Sequence, residues 1–308
     1  MWRTVFRVTV GLALSISLYV LPTSAQLLLP KDGETLPTFE VATIKPASKD
    51  ANGSMSQWTP DGFRVDNFTL SQIIRGAYGA QSHAQLVGGP QALLDQHFDV
   101  MAKMDPEDMA KYKALSRDDK RRQMDLMLQA LLRDRFHLKM HVETRELPIF
   151  ALAVDKGGPK LQPTAAASPA PTPEPGEAAS LPAMPKSMPH RLPPGSMMER
   201  MSGTSAEMSV GGGTMEQLAQ MLTGQEAVQE RLVIDKTGLK GKYDWYLKWT
   251  PAEAEMAAAS KGSDGSSPVS DAPGLLTAVR EQLGLKLEPS KGPVQIVVID
   301  HLEPPSPN

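Results

Sequence analysis

The stretch Thr69-Leu70-Ser71-Gln72-Ile73-Ile74 decides how this chain is read, because 145 positions further on Thr214-Met215-Glu216-Gln217-Leu218-Ala219 spells the same pattern. Both open Thr-x-x-Gln, the signature of a capping box. In that motif the Thr hydroxyl accepts from the third backbone N–H while the Gln side chain reaches back to the cap. Behind each cap the apolar residues recur at helical spacing: Leu70, Ile73, Ile74, Ala77 and Tyr78 in the first stretch, Met215, Leu218, Ala219 and Leu222 in the second. Each stretch predicts one amphipathic helix.

The agreement extends outward from these helices. Phe63 and Val65 alternate ahead of the first, Met208 and Val210 ahead of the second, as half-buried strands do. Downstream, Leu86-Val87 answers Leu232-Val233, and Phe98, Val100, Ala102 and Met104 answer Tyr243, Trp245, Leu247 and Trp249. A second helix follows, carried by Met124, Met127, Leu128, Leu131 and Leu132, then by Leu275, Leu276, Val279 and Leu283. Finally Leu138-Lys139-Met140 answers Leu285-Lys286-Leu287, and Pro148 through Asp155 answers Pro293 through Asp300. The expected fold class is α+β. It comprises two internally duplicated β-α-β-β-α-β-β units whose helices pack on an antiparallel or mixed sheet.

The rest of the composition assigns limits. Residues 1–25 order Arg3 and Arg7 before an apolar run, Val8 to Leu21, and a Pro-Thr-Ser-Ala end, which predicts a secretory signal peptide cleaved after Ala25, with an uncleaved anchor as the rival reading, and an exported, periplasmic or secreted product. No later segment is apolar enough to span a bilayer. The first repeat is placed at 36–161 and the second at 202–308. Between them, 162–201 is a Pro/Ala/Met-rich linker of the composition that stays disordered, and a similar insertion falls at about 251–273. The charged stretch Asp105 to Gln123 occupies the matching place in the first repeat and predicts a surface turn that tolerates length. There is no cysteine, which removes disulfides, thiolate nucleophiles and Cys-ligated metal. A net charge of −3 gives nucleic acid no footing. Lys120-Arg121-Arg122, flanked by acids, predicts a solvated helix start.

Features that carry chemistry elsewhere have plainer accounts here. His137 and His141 alternate with Leu138, Met140 and Val142 as a strand would, and four strand residues span roughly 13 Å, too far for one metal ion. Asp235-Lys236-Thr237-Gly238 predicts a glycine-pinned hairpin turn, with Gly88-Gly89-Pro90 in the matching place. Tyr243 and Trp245 belong to an aromatic strand face that either stacks on a ligand or packs in the core. Asp235, Lys236, Thr237, Tyr243 and Trp245 are the candidate binding residues. No nucleophile elbow, zincin motif, phosphate-binding loop or dinucleotide fingerprint is present, so no catalytic residue, metal site or cofactor is assigned.

Phe39 to Pro46, Leu86-Val87-Gly88-Gly89-Pro90, Leu131 to Phe136, Glu143 to Pro148, Asp235 to Leu239 with Gly241-Lys242-Tyr243, and Glu281 to Leu285 form a distinctive set. On these motifs the chain resembles the exported, soil-associated bacterial family built on domain of unknown function 3738. Ala92 departs from the aromatic residue usual in that family after Gly-Gly-Pro-x. The resemblance implies export and supplies no reaction or ligand. The function expected is a non-catalytic cell-envelope binding or scaffold module, with an envelope protein or peptide as partner and exposed strand edges as its means of binding. The competing expectation is a periplasmic hydrolase with a carboxylate site between the repeats, drawing on Asp99, Asp155, Asp244 or Asp300.

Overall fold

The computed structural model describes residues 27–48, 53–59, 61–164, 192–202, 204–252, 254 and 272–306. The expected signal peptide, the interior of the linker and most of the 251–273 insertion lie outside these residues.

Twelve strands and six α-helices are described. The first half runs β1 (Val41–Pro46), β2 (Met55–Thr59), β3 (Gly62–Thr69), α1 (Leu70–Ala77), β4 (Leu86–Gly88), α2 (Gln91–Leu94), β5 (His97–Lys103), α3 (Pro106–Ala114), α4 (Arg117–Arg135) and β6 (Lys139–Val154). The second runs β7 (Gln162–Pro163), β8 (Met197–Ser202), β9 (Ser205–Gly213), α5 (Met215–Thr223), β10 (Leu232–Asp235), β11 (Tyr243–Trp249), α6 (Leu275–Leu283) and β12 (Leu285–His301). Helices and mixed or antiparallel sheets together make this an α+β protein.

Both capping boxes form. Thr69 Oγ1 accepts from Gln72 N–H at 3.2 Å and Gln72 Oε1 accepts from Thr69 N–H at 2.8 Å. In α5 the same two bonds join Thr214 and Gln217 at 3.3 and 3.0 Å. Each box satisfies two backbone groups the helix start would leave orphaned, and it fixes where strand ends and helix begins.

The strands form three four-stranded sheets. One outer sheet has the order β1-β5-β3-β2, the other β7-β11-β9-β8, both antiparallel throughout. The orders match position for position, down to Pro46 opposite Phe98 and Pro163 opposite Tyr243. The central sheet, β10-β6-β12-β4, is mixed. Its middle is the long antiparallel pair β6 and β12, running from Leu285 opposite Val154 to His301 opposite Lys139. Glu146 opposite Pro293 lies near the midpoint. At the two ends the halves exchange strands: β10 of the second pairs parallel with β6, and β4 of the first pairs parallel with β12.

Several expectations change here. The two short strands expected at 138–140 and 148–155, and their counterparts 285–287 and 293–300, are single strands of 16 and 17 residues. Each long strand finds its partner in the other half rather than folding back on itself. Pro148, Pro289 and Pro293 do not break the run, because they fall where β10 and β4 do not cover the flank, and a missing N–H is tolerated there. Each half also gains strands ahead of its first helix. β2, paired with β3, and β8, paired with β9, carry no clean alternation, and β7 and β8 lie at the two ends of the stretch expected as linker. The segment Asp105 to Gln123 is helical, with Asp105 capping α3 and Ser116 capping α4. Lys120-Arg121-Arg122 therefore sits in the first turns of α4, as a solvated helix start should. Asp235 to Gly238 does not close a hairpin, because β10 and β11 belong to different sheets.

Two large cores follow from this layout, with a smaller cluster of Ile149, Leu232, Ile234, Val294 and Ile296 on the central sheet. One gathers α1, α4 and β5 around Leu70, Ile74, Phe98, Met127, Leu132 and Phe136, with Val297 and Ile299 of β12. Phe98 and Phe136 meet edge to face with ring centroids 5.4 Å apart. The other gathers α5, α6 and β11 around Leu218, Leu222, Trp245, Leu247 and Val279, with Phe150 and Leu152 of β6. Each core is thus completed by a strand of the opposite half. Arg135, in the Leu131 to Phe136 motif, ties the chain ends by donating to Ala42 O at 3.0 Å and to Ser306 Oγ and O at 3.0 and 2.8 Å.

Candidate functional site

A half-open cleft of about 1370 Å³ lies between the two halves. Its floor is apolar: Val65, Ile73, Met124 and Leu128 from the first half meet Val210 and Met221 from the second. The capping glutamines Gln72 and Gln217 line it from matching helices, and the end strands of the outer sheets border it through Ser56 and Thr59 of β2 and Met197 of β8. Charged side chains come from Lys113, Asp118, Lys120, Arg121, Asp125 and Lys242.

The cleft wall depends on one local device used twice. In each outer sheet a β-bulge interrupts the pairing, between Val65 and Phe68 on β3 and between Val210 and Gly213 on β9. The extra residue takes positive φ: Asn67 at 58° and Gly212 at 67°. Its N–H then points across to a carboxylate on the neighbouring strand. Asn67 N–H donates to Asp99 Oδ1 at 2.9 Å, and Gly212 N–H to Asp244 Oδ1 at 2.9 Å. Asp244 is buried and also accepts from Thr164 Oγ1 at 2.7 Å. Three consecutive glycines serve three needs at this place. A Cβ on Gly211 would lie 2.3 Å from Leu192 O, Gly212 needs its positive φ, and a Cβ on Gly213 would lie 2.1 Å from the Trp245 ring. The volumes trade between halves: Phe68 pairs with Phe98 beside Val100 in one, and Gly213 makes room for Trp245 in the other.

The carboxylates of the hydrolase expectation sit in three different settings. Asp99 and Asp244 lock the two bulges in opposite outer sheets. Asp155 follows β6, where its backbone bonds Gly284 O and Gly158 N–H. Asp300, on the central sheet, lies 2.9 Å from His141 Nδ1. His141 also approaches Glu143 at 3.1 Å, and these two acids, Asp300 foremost, raise its pKa. His137 is not on the strand at all, standing before β6 at φ 52°. Among the described residues no cluster of three or more His, Cys, Asp or Glu could hold a metal ion.

The five candidate binding residues lie outside the lining of the cleft. Asp235 Oδ1 accepts from Thr237 N–H and Oγ1, both at 2.8 Å, and Thr237 Oγ1 accepts from Leu239 N–H at 3.1 Å, which makes the segment a self-bonded turn. Lys236 N–H donates to Leu152 O and its side chain is exposed. Tyr243 Oη donates to Lys240 O at 3.1 Å. Trp245 is 3 % exposed, so its stripe packs in the core. Only Lys242, next to Tyr243, reaches the cleft.

Within the cleft, burial pushes the Asp125 carboxyl up to about 6 against the pull of Arg121. Burial, helped by Asp125, likewise pushes the Tyr112 phenol up to about 12. No periodicity flags these residues, since α4 reaches the cleft only once packed against α1. No described helix is long and apolar enough to cross a membrane.

No curated protein and no solved structure matches the chain. The family model described as "Protein of unknown function (DUF3738)" matches residues 71–302, and the chain belongs to that family.

Proposed function

We propose that this protein is an exported, non-catalytic binding module of the cell envelope that holds its ligand in the cleft between the two halves. The observation that carries this is the cleft itself: an apolar floor with a polar rim, at about 1370 Å³ larger than the roughly 300–1,000 Å³ usual for small-molecule pockets. Lining that brings ligand-sized apolar surface together with a polar and charged rim suits capture and orientation. Export rests on residues 1–25 alone. N-terminal sequencing of the secreted product should begin at Gln26, and recovery of intact Met1 would count against it.

Gly76 offers a direct test of the cleft. It lines the cavity near the end of α1, and a Cβ there meets nothing within 4 Å. Gly76→Trp should obstruct part of the space beside α1 while holding or raising stability by up to about 0.5 kcal/mol, since glycine is a poor helix residue. A neutral apolar dye such as Nile red should bind the natural chain and lose at least about tenfold in affinity, roughly 1.4 kcal/mol, on the variant. Equal binding by both would remove the cleft from the account.

A further inference from the structure

The lining of the cleft has a charge bias that the rest of the chain does not share. Lys113, Lys120, Arg121 and Lys242 face it against Asp118 and Asp125, in a protein of net charge −3. Arg121 is occupied in part by Asp125, whereas Lys113, Lys120 and Lys242 form no ion pair with another described residue. Positive charge around an apolar floor attracts a ligand that is both apolar and anionic.

The apolar lining is also rich in methionine. Met109, Met124, Met197 and Met221 all contribute to it. Unbranched, polarizable methionine side chains adapt to varied apolar shapes, as promiscuous peptide-binding surfaces require. Met197 and Met201 add a second sign. They stand opposite Val210 and Ala206, both buried on the core-facing side of the sheet, yet they are 61 % and 65 % exposed. Among the described strands β8 is the last of its sheet, and no described strand pairs with its outer edge beside these side chains. β2, at the corresponding end of the other outer sheet, also borders the cleft. A peptide is the ligand that uses open strand edges, side-chain pockets and charge together.

We infer that the occupant of the cleft is an extended peptide segment carrying apolar side chains and net negative charge, added as a strand at the outer edge of β8. This rests on the cleft being the binding site. Lys113 and Arg121 steer and hold its carboxylates, Met197 and Met201 cover its apolar side chains, and backbone hydrogen bonds to β8 fix its direction.

The test uses the full mature chain at low salt with four probes: a ten-residue peptide of alternating Leu and Asp or Glu, its Leu and Lys counterpart, the acidic peptide N-methylated at alternate residues, and oleate. The acidic peptide should bind, the basic peptide at least about tenfold more weakly, and Lys113→Glu/Arg121→Glu should cost the acidic peptide about tenfold or more while strengthening the basic one. N-methylation should abolish binding, because it removes the strand's donors. Equal affinity for both charges, or for the N-methylated peptide, overturns the inference, as does binding of oleate with no peptide. Should Nile red still bind in any of these cases, the cleft reading stands while the peptide assignment falls. Should Nile red fail as well, both fall.

Discussion

Asp125 shows what a single residue of this cleft does for the whole chain. Burial raises its carboxyl from the ordinary 3.8 to about 6 in the folded protein, with Arg121 only partly offsetting it. The sign follows from proton binding. Below about pH 4 both folded and unfolded chains carry the proton and the residue is neutral toward stability. Between about 4 and 6 the unfolded chain releases its proton first, so stability falls as pH rises, and above about 6 the loss is complete. Asp125→Asn should therefore match the natural protein near pH 4 and exceed it near pH 7.5, by on the order of 1 kcal/mol once partial exposure is allowed for. Denaturant titrations at the two pH values check this, and an equal gain at both would contradict it. Residues of this kind could not be found from sequence. Asp125 follows the basic run of α4 and looks like any solvated acid until α3 folds over it. Gln129 is similar: fully buried, it donates to Leu28 O at 3.0 Å and Ala77 O at 2.7 Å, joining α4 to α1 and to the N-terminal segment. Nothing in its neighbours marks it.

At the scale of elements, the helices were legible and the strands were legible in part. Thr-x-x-Gln is a local motif whose bonds close within four residues, so both capping boxes form where the sequence placed them. β5 shows period-two burial throughout, and β9 and β11 show it over Ser205–Met208 and Trp245–Trp249, because one face packs on helices. β6 and β12 were split in two because Pro148 and Pro293 suggest a break, and only the partner strand from the other half explains continuity. The bulges were also invisible, though one signal existed. Asn67 and Gly212, two residue types that tolerate positive φ, stand at the same repeat position, and Asp99 and Asp244 share another. Asp244→Ala would leave the Gly212 N–H and the Thr164 hydroxyl buried without this acceptor. The expected cost is roughly 2–4 kcal/mol, together with loosening of the cleft wall. Thermal melts and amide exchange at Gly212 measure it. An unchanged melting temperature would mean the bulge is held by something else.

At the scale of the whole molecule, the repeated pattern reads equally as two lobes or as one pseudo-twofold domain, and the halves share a central sheet. Ser82 Oγ donates to Glu230 O, Gln85 Nε2 donates to Gln295 O at 3.1 Å, and Leu27 N–H donates to Gln295 Oε1 at 2.8 Å. The sequence could not tell this arrangement from two separate units, because strand exchange leaves each half's apolar pattern unchanged. Val297 serves the first core and Leu152 the second, yet each sits in a strand that reads as belonging to its own repeat. The cleft is a consequence of the same exchange: crossing strands fix the separation of α1 and α5, and the space between them stays open. Residues 27–164 and 192–306, expressed as separate chains, test this most directly. Each alone should show collapsed amide dispersion by NMR and no cooperative melt, and mixing should restore one cooperative transition of a 1:1 complex. Two independently folded halves, each melting by itself with no change on mixing, would contradict the shared sheet and the cleft built on it.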